Sequence, residues 1–231
     1  MSTTCGKPDT ILRFPLELLG SGAKGAASRW KKATFNLESS LKALKQQLRN
    51  QMRKKRQALT PSQRQQFSEN IATRLFQSND FQRAQHIALY HSLADEVSTT
   101  HIFKQACLLQ KSCYFPIIST HGTLTFVKVD EATALIPGHY GILTPAQINQ
   151  TIALEALDLV LFPLLAFDSA GNRLGMGGGY YDKTFAKVRS GQSPRLVGLA
   201  YDLQCVEDLP HSDLDIKLDE IITEKQIYRP A

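Results

Sequence analysis

The sequence Asp158-Leu-Val-Leu-Phe-Pro-Leu-Leu-Ala-Phe-Asp-Ser-Ala-Gly-Asn-Arg-Leu-Gly-Met-Gly-Gly-Gly-Tyr-Tyr-Asp182 decides how this chain folds and where its chemistry sits. It begins as an apolar run of strand length, the composition of a strand buried on both faces. Asp168 and Gly171 mark a turn, and the segment then runs through four glycines into an expected helix N-terminus. Glycines at 175, 177, 178 and 179 carry no Cβ and tolerate positive φ, so a phosphate chain can approach backbone N–H groups directly. The unpaired N–H groups of the following helix face the same place. Arg173 can add a charged fork, and Asp182 a hard oxygen for a cation carried on the phosphates. The standard phosphate fingerprints do not fit. G-x-G-x-x-G read from Gly175 meets Tyr180 where glycine is required, and no G-K-[ST] follows a four-residue spacer. The expectation is a nucleotide site that is neither of the dinucleotide-binding type nor a P-loop.

The composition bounds this reading. The chain has 231 residues, 42% hydrophobic and 21% charged, enough for one good core. The net charge is +6, but residues 1–40 hold six Lys/Arg against three Asp/Glu, which leaves +3 for the rest. That modest field suits an anionic small molecule at least as well as nucleic acid. Cys5, Cys107, Cys113 and Cys205 form no C-x-x-C pair and no zinc spacing, so reduced thiols in a cytoplasmic protein are expected. No run approaches the ~20 apolar residues of a membrane span. Residues 11–19 are apolar but broken by Arg13, Pro15 and Glu17, unlike a secretory signal. Residues 1–38 read as a disordered or non-native extension, and 39–231 as a single α/β domain.

Ser39 or Ser40 can cap a helix from Leu41 to about Leu59. Leu41, Leu44, Leu48 and Met52 form its apolar stripe, flanked by the basic row Lys42, Lys45, Arg49, Arg53 and Arg56. Such a row can line a cleft or simply be solvated. Thr60-Pro-Ser-Gln63 is a capping box that predicts a helix over 61–77. His86–Tyr90 reads as a buried strand, followed by the loop His91-Ser-Leu-Ala-Asp-Glu-Val97, where an open α/β sheet collects ligand groups. A helix is expected over 98–111, strands over 113–118 and 124–129 joined about His121-Gly122, and a loop over 137–141. Residues 182–190 should be helix and 195–200 strand. Asp213, Asp215 and Asp219 cluster ahead of a last strand at 219–223. Helices alternating with buried strands make a layered α/β domain with a largely parallel sheet.

With Arg173-Leu-Gly-Met-Gly-Gly-Gly-Tyr-Tyr-Asp182 in view, the chain resembles the 5-formyltetrahydrofolate cyclo-ligase, or methenyltetrahydrofolate synthetase, family. Lys45-Gln-Gln-Leu-Arg49 looks like its N-terminal K-x-x-L-R motif, Asp95-Glu-Val97 like its substrate loop, and Asp215-Ile-Lys-Leu-Asp-Glu220 like its D-x-K-x-D-E motif. The likeness covers roughly residues 41–225. It implies a three-layer α/β/α fold similar to that of phosphosugar isomerases and CoA transferases. It also implies a reaction: 5-formyltetrahydrofolate and MgATP give 5,10-methenyltetrahydrofolate, ADP and phosphate. By the same resemblance, Lys45 and Arg173 are the catalytic cations. ATP meets Lys45, Arg49, Arg173, Leu174, Gly175, Met176, Gly177, Gly178, Gly179, Tyr180 and Tyr181. Folate meets Arg49, His91, Glu96, Tyr140, Gly177, Gly178, Gly179 and Tyr180. Asp182 and Asp215 hold Mg²⁺. Met176 is a departure, since many family members carry arginine there. Partners implied are folate, in free or polyglutamylated form, and ATP, for a monomer acting on neither membrane nor nucleic acid. The rival reading is a nucleic-acid-binding module led by the basic helix 42–56.

Overall fold

The computed structural model describes residues 23–138, 141–148, 150–186 and 194–230, with side chains from Ser39 onward. The chain divides into two compact units, Met1–Lys42 and Ala43–Ala231. In the first, the described backbone is helical from Ala23, the start of helix α1 (Ala23–Gln57), well ahead of the start expected at Ser39 or Ser40.

The second unit holds everything else. Helix α2 (Pro61–Phe76) starts where the sequence requires it. Thr60 accepts the Gln63 N–H, Gln63 returns a bond to the Thr60 backbone, and Pro61 occupies the first helical position. Helix α3 (Asn79–Arg83) is capped by Ser78 and leads into strand β1 (His86–Ala88). Helix α4 (Thr100–Leu108) is shorter than the expected 98–111, with Gln110 at positive φ just past its end. Strands β2 (Ser112–Ile118) and β3 (Leu124–Val129) form the expected hairpin. Within the region expected to be loop, Pro137 belongs to a small ladder, β4 (Leu135–Pro137) with β5 (Leu143–Pro145). Then come β6 (Thr151–Ile152), β7 (Leu159–Pro163), the short hairpin β8 (Ala166–Phe167) and β9 (Arg173–Leu174), and helix α5 (Tyr180–Phe185). Strands β10 (Arg195–Leu199), β11 (Glu220–Ile222) and β12 (Ile227–Tyr228) close the chain.

Eight strands form one sheet in the order β12-β11-β10-β7-β1-β2-β3-β6. Its centre, β11-β10-β7-β1-β2, is parallel, and the pairings β11·β12, β2·β3 and β3·β6 are antiparallel. Alternation along β7 explains its apolar run. Leu159 and Leu161 enter the cluster that includes Ile71 and Leu75 of α2 and Ile102 of α4, while Val160 and Phe162 face Phe185 of α5. Both faces are therefore covered, and each such side chain contributes about 1.5–3 kcal/mol by burial. The result is the mixed α/β architecture the sequence predicts, with helices on each side of a mostly parallel sheet.

Candidate active site

The glycine loop hangs from the β8–β9 hairpin, and a buried carboxylate sets that hairpin. Asp168, 3% exposed, accepts N–H bonds from Ala170 and Asn172 at Oδ1. Its Oδ2 accepts the Asn172 side-chain amide and the Leu209 N–H. This Asx turn fixes the register in which Phe167 faces Arg173. Beyond it the backbone reaches φ 107° at Gly177 and φ 66° at Gly179, the cap of α5. Both values lie where side-chain-bearing residues are strained. Gly178 leaves room for the Tyr180 ring, since a Cβ there would fall 2.5 Å from a ring carbon.

Helix α1 supplies cations to this loop from the expected basic row, but the inward face takes in only part of the expected apolar stripe. Leu44 is 55% exposed, whereas Lys45, Leu48, Arg49, Met52 and Arg56 point inward at helical spacing. Met52 and Leu48 pack on Leu165, Leu174 and Leu209. Lys45 Nζ lies 2.5 Å from Asp215 Oδ2, and Arg49 Nε donates to the Gly175 carbonyl at 2.9 Å with its guanidinium beside Gly177. The inward stripe is mixed because loop acids and carbonyls stand opposite it, giving each cation a partner. At Met176, 46% exposed, the Arg53 Nη2 approaches the sulfur at 4.0 Å, so a cation from α1 stands beside this departure from the motif.

Arg173 is 4% exposed. Its Nη2 donates to Asp182 Oδ1 at 2.8 Å, and its guanidinium lies 5.0 Å from the centre of the Phe162 ring. Asp182 also accepts the Ile216 N–H, which ties the first turn of α5 to the residue next to Asp215. Asp215 Oδ2 takes the Ser212 N–H and hydroxyl in addition to Lys45. Burial alone would raise its pKa, but the Lys45 and Ser212 bonds outweigh that and hold it below the usual value. Asp219 goes elsewhere, to the Leu196 N–H and Arg195 in the sheet, so the three C-terminal acids do not act as one cluster.

Tyr181 turns into the core, 4.7 Å from Phe162 and stacked on Phe185. Burial first, and then the charge of Glu96, push its phenol pKa upward. The Glu96 loop is thus within electrostatic reach of α5. Within that loop the Leu93 N–H donates to Glu96 Oε2, the Tyr201 hydroxyl to the Glu96 carbonyl and the Tyr90 hydroxyl to the Val97 carbonyl. Glu96 is 8% exposed, and burial raises its pKa against the opposing pull of the Leu93 N–H and Arg56. It lines a cleft of about 500 Å³ between α2 and α4, together with Arg64, Ser68, His101 and Lys104. His91 sets its ring edge-on to Phe115, and burial lowers its pKa, which favours neutral imidazole. Tyr140 lies outside the described residues.

The structure therefore brings Lys45, Arg49, Arg173, Asp182 and Asp215 around Gly175–Gly179, with His91 and Glu96 on the adjoining loop at the end of β1. Residues 41–224 match the 5-formyltetrahydrofolate cyclo-ligase family. The chain belongs to that family. It is 35% identical over 181 residues to the cyclo-ligase of Haemophilus influenzae, covering 77% of this chain and 96% of that one. Among solved structures, the 5,10-methenyltetrahydrofolate synthetase of Aquifex aeolicus matches with a TM-score of 0.71 and 31% identity, over 80% of this chain and 92% of that one. The synthetase of Mycoplasma pneumoniae matches with a TM-score of 0.62 and 26% identity, over 78% and 98%. The glycine loop, both acids and all the inward α1 residues fall inside the cyclo-ligase match.

Sequence reasoning missed two residues. Asp168 was legible only as a turn, although the Asp-x-x-Gly-Asn spacing is that of an Asx turn whose carboxylate works on its own backbone. Arg56 read only as one member of a basic row that could line a cleft or be solvated, with no role of its own, yet it is 1% exposed.

No group of three or more His, Cys, Asp or Glu gathers among the described residues as a protein-built metal cage. Magnesium on a nucleotide does not need one, because one or two carboxylates plus phosphate oxygens and water complete its shell. Asp182 and Asp215 fit that requirement. Their partners among the described residues bind Oδ1 of the first and Oδ2 of the second, and the other oxygen of each is a hard ligand atom. In the described residues each acid is held against a cation, Arg173 or Lys45.

Proposed function

We propose that this chain converts 5-formyltetrahydrofolate and ATP to 5,10-methenyltetrahydrofolate, ADP and phosphate. Family membership carries the reading, and the convergence of Lys45, Arg49 and the glycine loop supports its nucleotide half. A formamide oxygen is a poor leaving group at neutral pH. Transfer of the γ-phosphoryl to it, with cleavage of the bond to ADP, makes it one. N10 then attacks the activated carbon, the C–O bond breaks, and phosphate departs with that oxygen while N10 loses its proton. No enzyme nucleophile is required, so the protein supplies alignment, charge neutralisation and exclusion of water.

In this reading Gly175–Gly179 present N–H groups to the triphosphate, and Lys45 and Arg49 neutralise it from α1. Arg173, being buried, acts by holding Asp182 and the loop in place. Asp182 and Asp215 hold Mg²⁺, which shields the phosphate charge when bound. Glu96 accepts hydrogen bonds from the pterin amino and ring N–H groups, with neutral His91 beside it and Tyr180 packed on the ring. Tyr140 belongs to the same proposal on the resemblance alone. Residues 39–231 form the catalytic domain and 1–38 an extension, in keeping with a family match that starts at 41. The protein works as a cytoplasmic monomer. No described helix is long and apolar enough to cross a membrane. The nucleic-acid reading is weakened because Lys45 and Arg56 are spent on acids and Arg49 on a carbonyl.

Mixing protein, 5-formyltetrahydrofolate and MgATP should produce the methenyl chromophore, and omitting any one component should abolish it. Binding of folate without ATP-dependent product would mark a carrier instead.

A further inference from the structure

Arg56 lies near the C-terminal end of α1 and is sealed in the protein at 1% exposure. Its Nη2 donates to Asp95 Oδ2 at 2.8 Å and its Nη1 to the Leu164 carbonyl at 3.3 Å. Nη1 also stands 3.8 Å from Glu96 Oε1, an ion pair without a hydrogen bond. Among the described residues its Nε has no hydrogen-bond partner. A buried guanidinium with an unsatisfied N–H is a poor stabiliser, since desolvation offsets much of the Coulombic gain. What it does provide is geometry. One rigid fork connects the end of β7 through Leu164 to both acids of the 91–97 loop, and Gln204 adds a second donor to the same Leu164 carbonyl at 2.7 Å.

The charge pattern gives this contact a purpose. Asp95 and Glu96 are adjacent acids, and the second is nearly buried, so without a counter-charge each would disfavour ionisation of the other. Arg56 takes Asp95 by a direct bond and leaves Glu96 at ion-pair distance. Glu96 Oε1 keeps its hydrogen-bonding capacity while Oε2 is steadied by the Leu93 N–H. A carboxylate so held is fixed in direction yet still able to receive a pair of N–H donors.

We infer that Arg56 is a positioning residue for the folate half of the site, acting through Glu96 by anchoring the Asp95–Glu96 loop to the end of β7. The inference rests on the proposed contact between Glu96 and folate. It is tested with a double-mutant cycle of Arg56→Gln and Glu96→Gln in the full chain, reading KM for 5-formyltetrahydrofolate and for ATP separately. Arg56→Gln alone should raise the folate KM about tenfold, within the range of a coupling between contacting charges, and leave the ATP KM nearly unchanged. In the Glu96→Gln background the same change should have little further effect. Arg56→Lys should rescue only part of the loss, because an ammonium cannot hold both acids and the carbonyl in one plane.

If Arg56→Gln does not fold, Asp95→Asn releases the same fork from the 21%-exposed side chain and should raise the folate KM in the same selective way. Equal rises in both KM values, or full additivity in the cycle, would overturn the inference and leave Arg56 a general structural residue. A Glu96→Gln variant with unchanged folate KM would instead overturn the underlying assignment of Glu96.

Discussion

Gly177 shows how one residue type sets a site. Its φ of 107° is a conformation side-chain-bearing residues avoid, and a Cβ there would sit at ordinary contact distance, 3.5 Å from the Arg49 Cζ. The obstacle to alanine is therefore backbone strain, on the order of 1–3 kcal/mol. Gly177→Ala should raise the ATP KM more than the folate KM and lower the melting temperature; steady-state kinetics and a thermal melt check both. Asp182→Asn tests a different residue-scale claim. It keeps an oxygen for the Ile216 N–H but removes the charge opposite buried Arg173, so stability should fall by about 1–3 kcal/mol. Turnover with MgATP should drop roughly 10- to 100-fold, uncorrected by excess magnesium. Full activity at limiting Mg²⁺ would remove Asp182 from the metal. Gly177 and Gly179 announced themselves in the sequence because residues with a Cβ rarely adopt such backbone angles. Arg56 did not, because a charge on an amphipathic helix looks solvated until the loop that faces it is known.

At the scale of elements, the loop after β1 holds a conflict between stability and function. Burial raises the Glu96 pKa above the value it has in the unfolded chain. Between the two values the folded state keeps a proton that the unfolded state has released, so stability falls as pH rises through that window. Above it the full cost of the buried carboxylate is present. Glu96→Gln should therefore match the wild type below the window and exceed it at neutral pH, while binding folate more weakly. Denaturant midpoints measured across that pH range read the effect. A constant offset between the two proteins at every pH would assign the difference to packing rather than titration. The elements themselves were legible in proportion to their burial. Strand β7 stood out because both faces are covered and every position is apolar, β10 because the four residues after Arg195 are buried and uncharged, and α2 because its capping box is local chemistry. Strands β6, β8, β9 and β12 have two residues each. Their pairing is set by turns and by neighbours distant in sequence, which no short periodicity records.

For the whole molecule the question is what belongs to the catalytic unit. The family match begins at 41, the first inward cation among the described side chains is Lys45, and the larger compact unit begins at Ala43. A chain shortened to residues 39–231 keeps Ser39 or Ser40 as a natural cap for the remaining part of α1, so the face carrying Lys45, Arg49 and Arg56 retains helical support ahead of it. Residues 1–38 contain six Lys/Arg and three Asp/Glu, so the cut lowers the net charge from +6 to +3. Any non-specific attraction to nucleic acid should weaken with it, and its salt dependence should flatten. Turnover and the KM for folate and ATP should be unchanged, because no group assigned to the reaction has been removed. Kinetics of the shortened chain beside the full one decide the matter. A collapse of activity with an intact thermal transition would place part of the site in the extension, and loss of the transition itself would make residues 1–38 part of the fold.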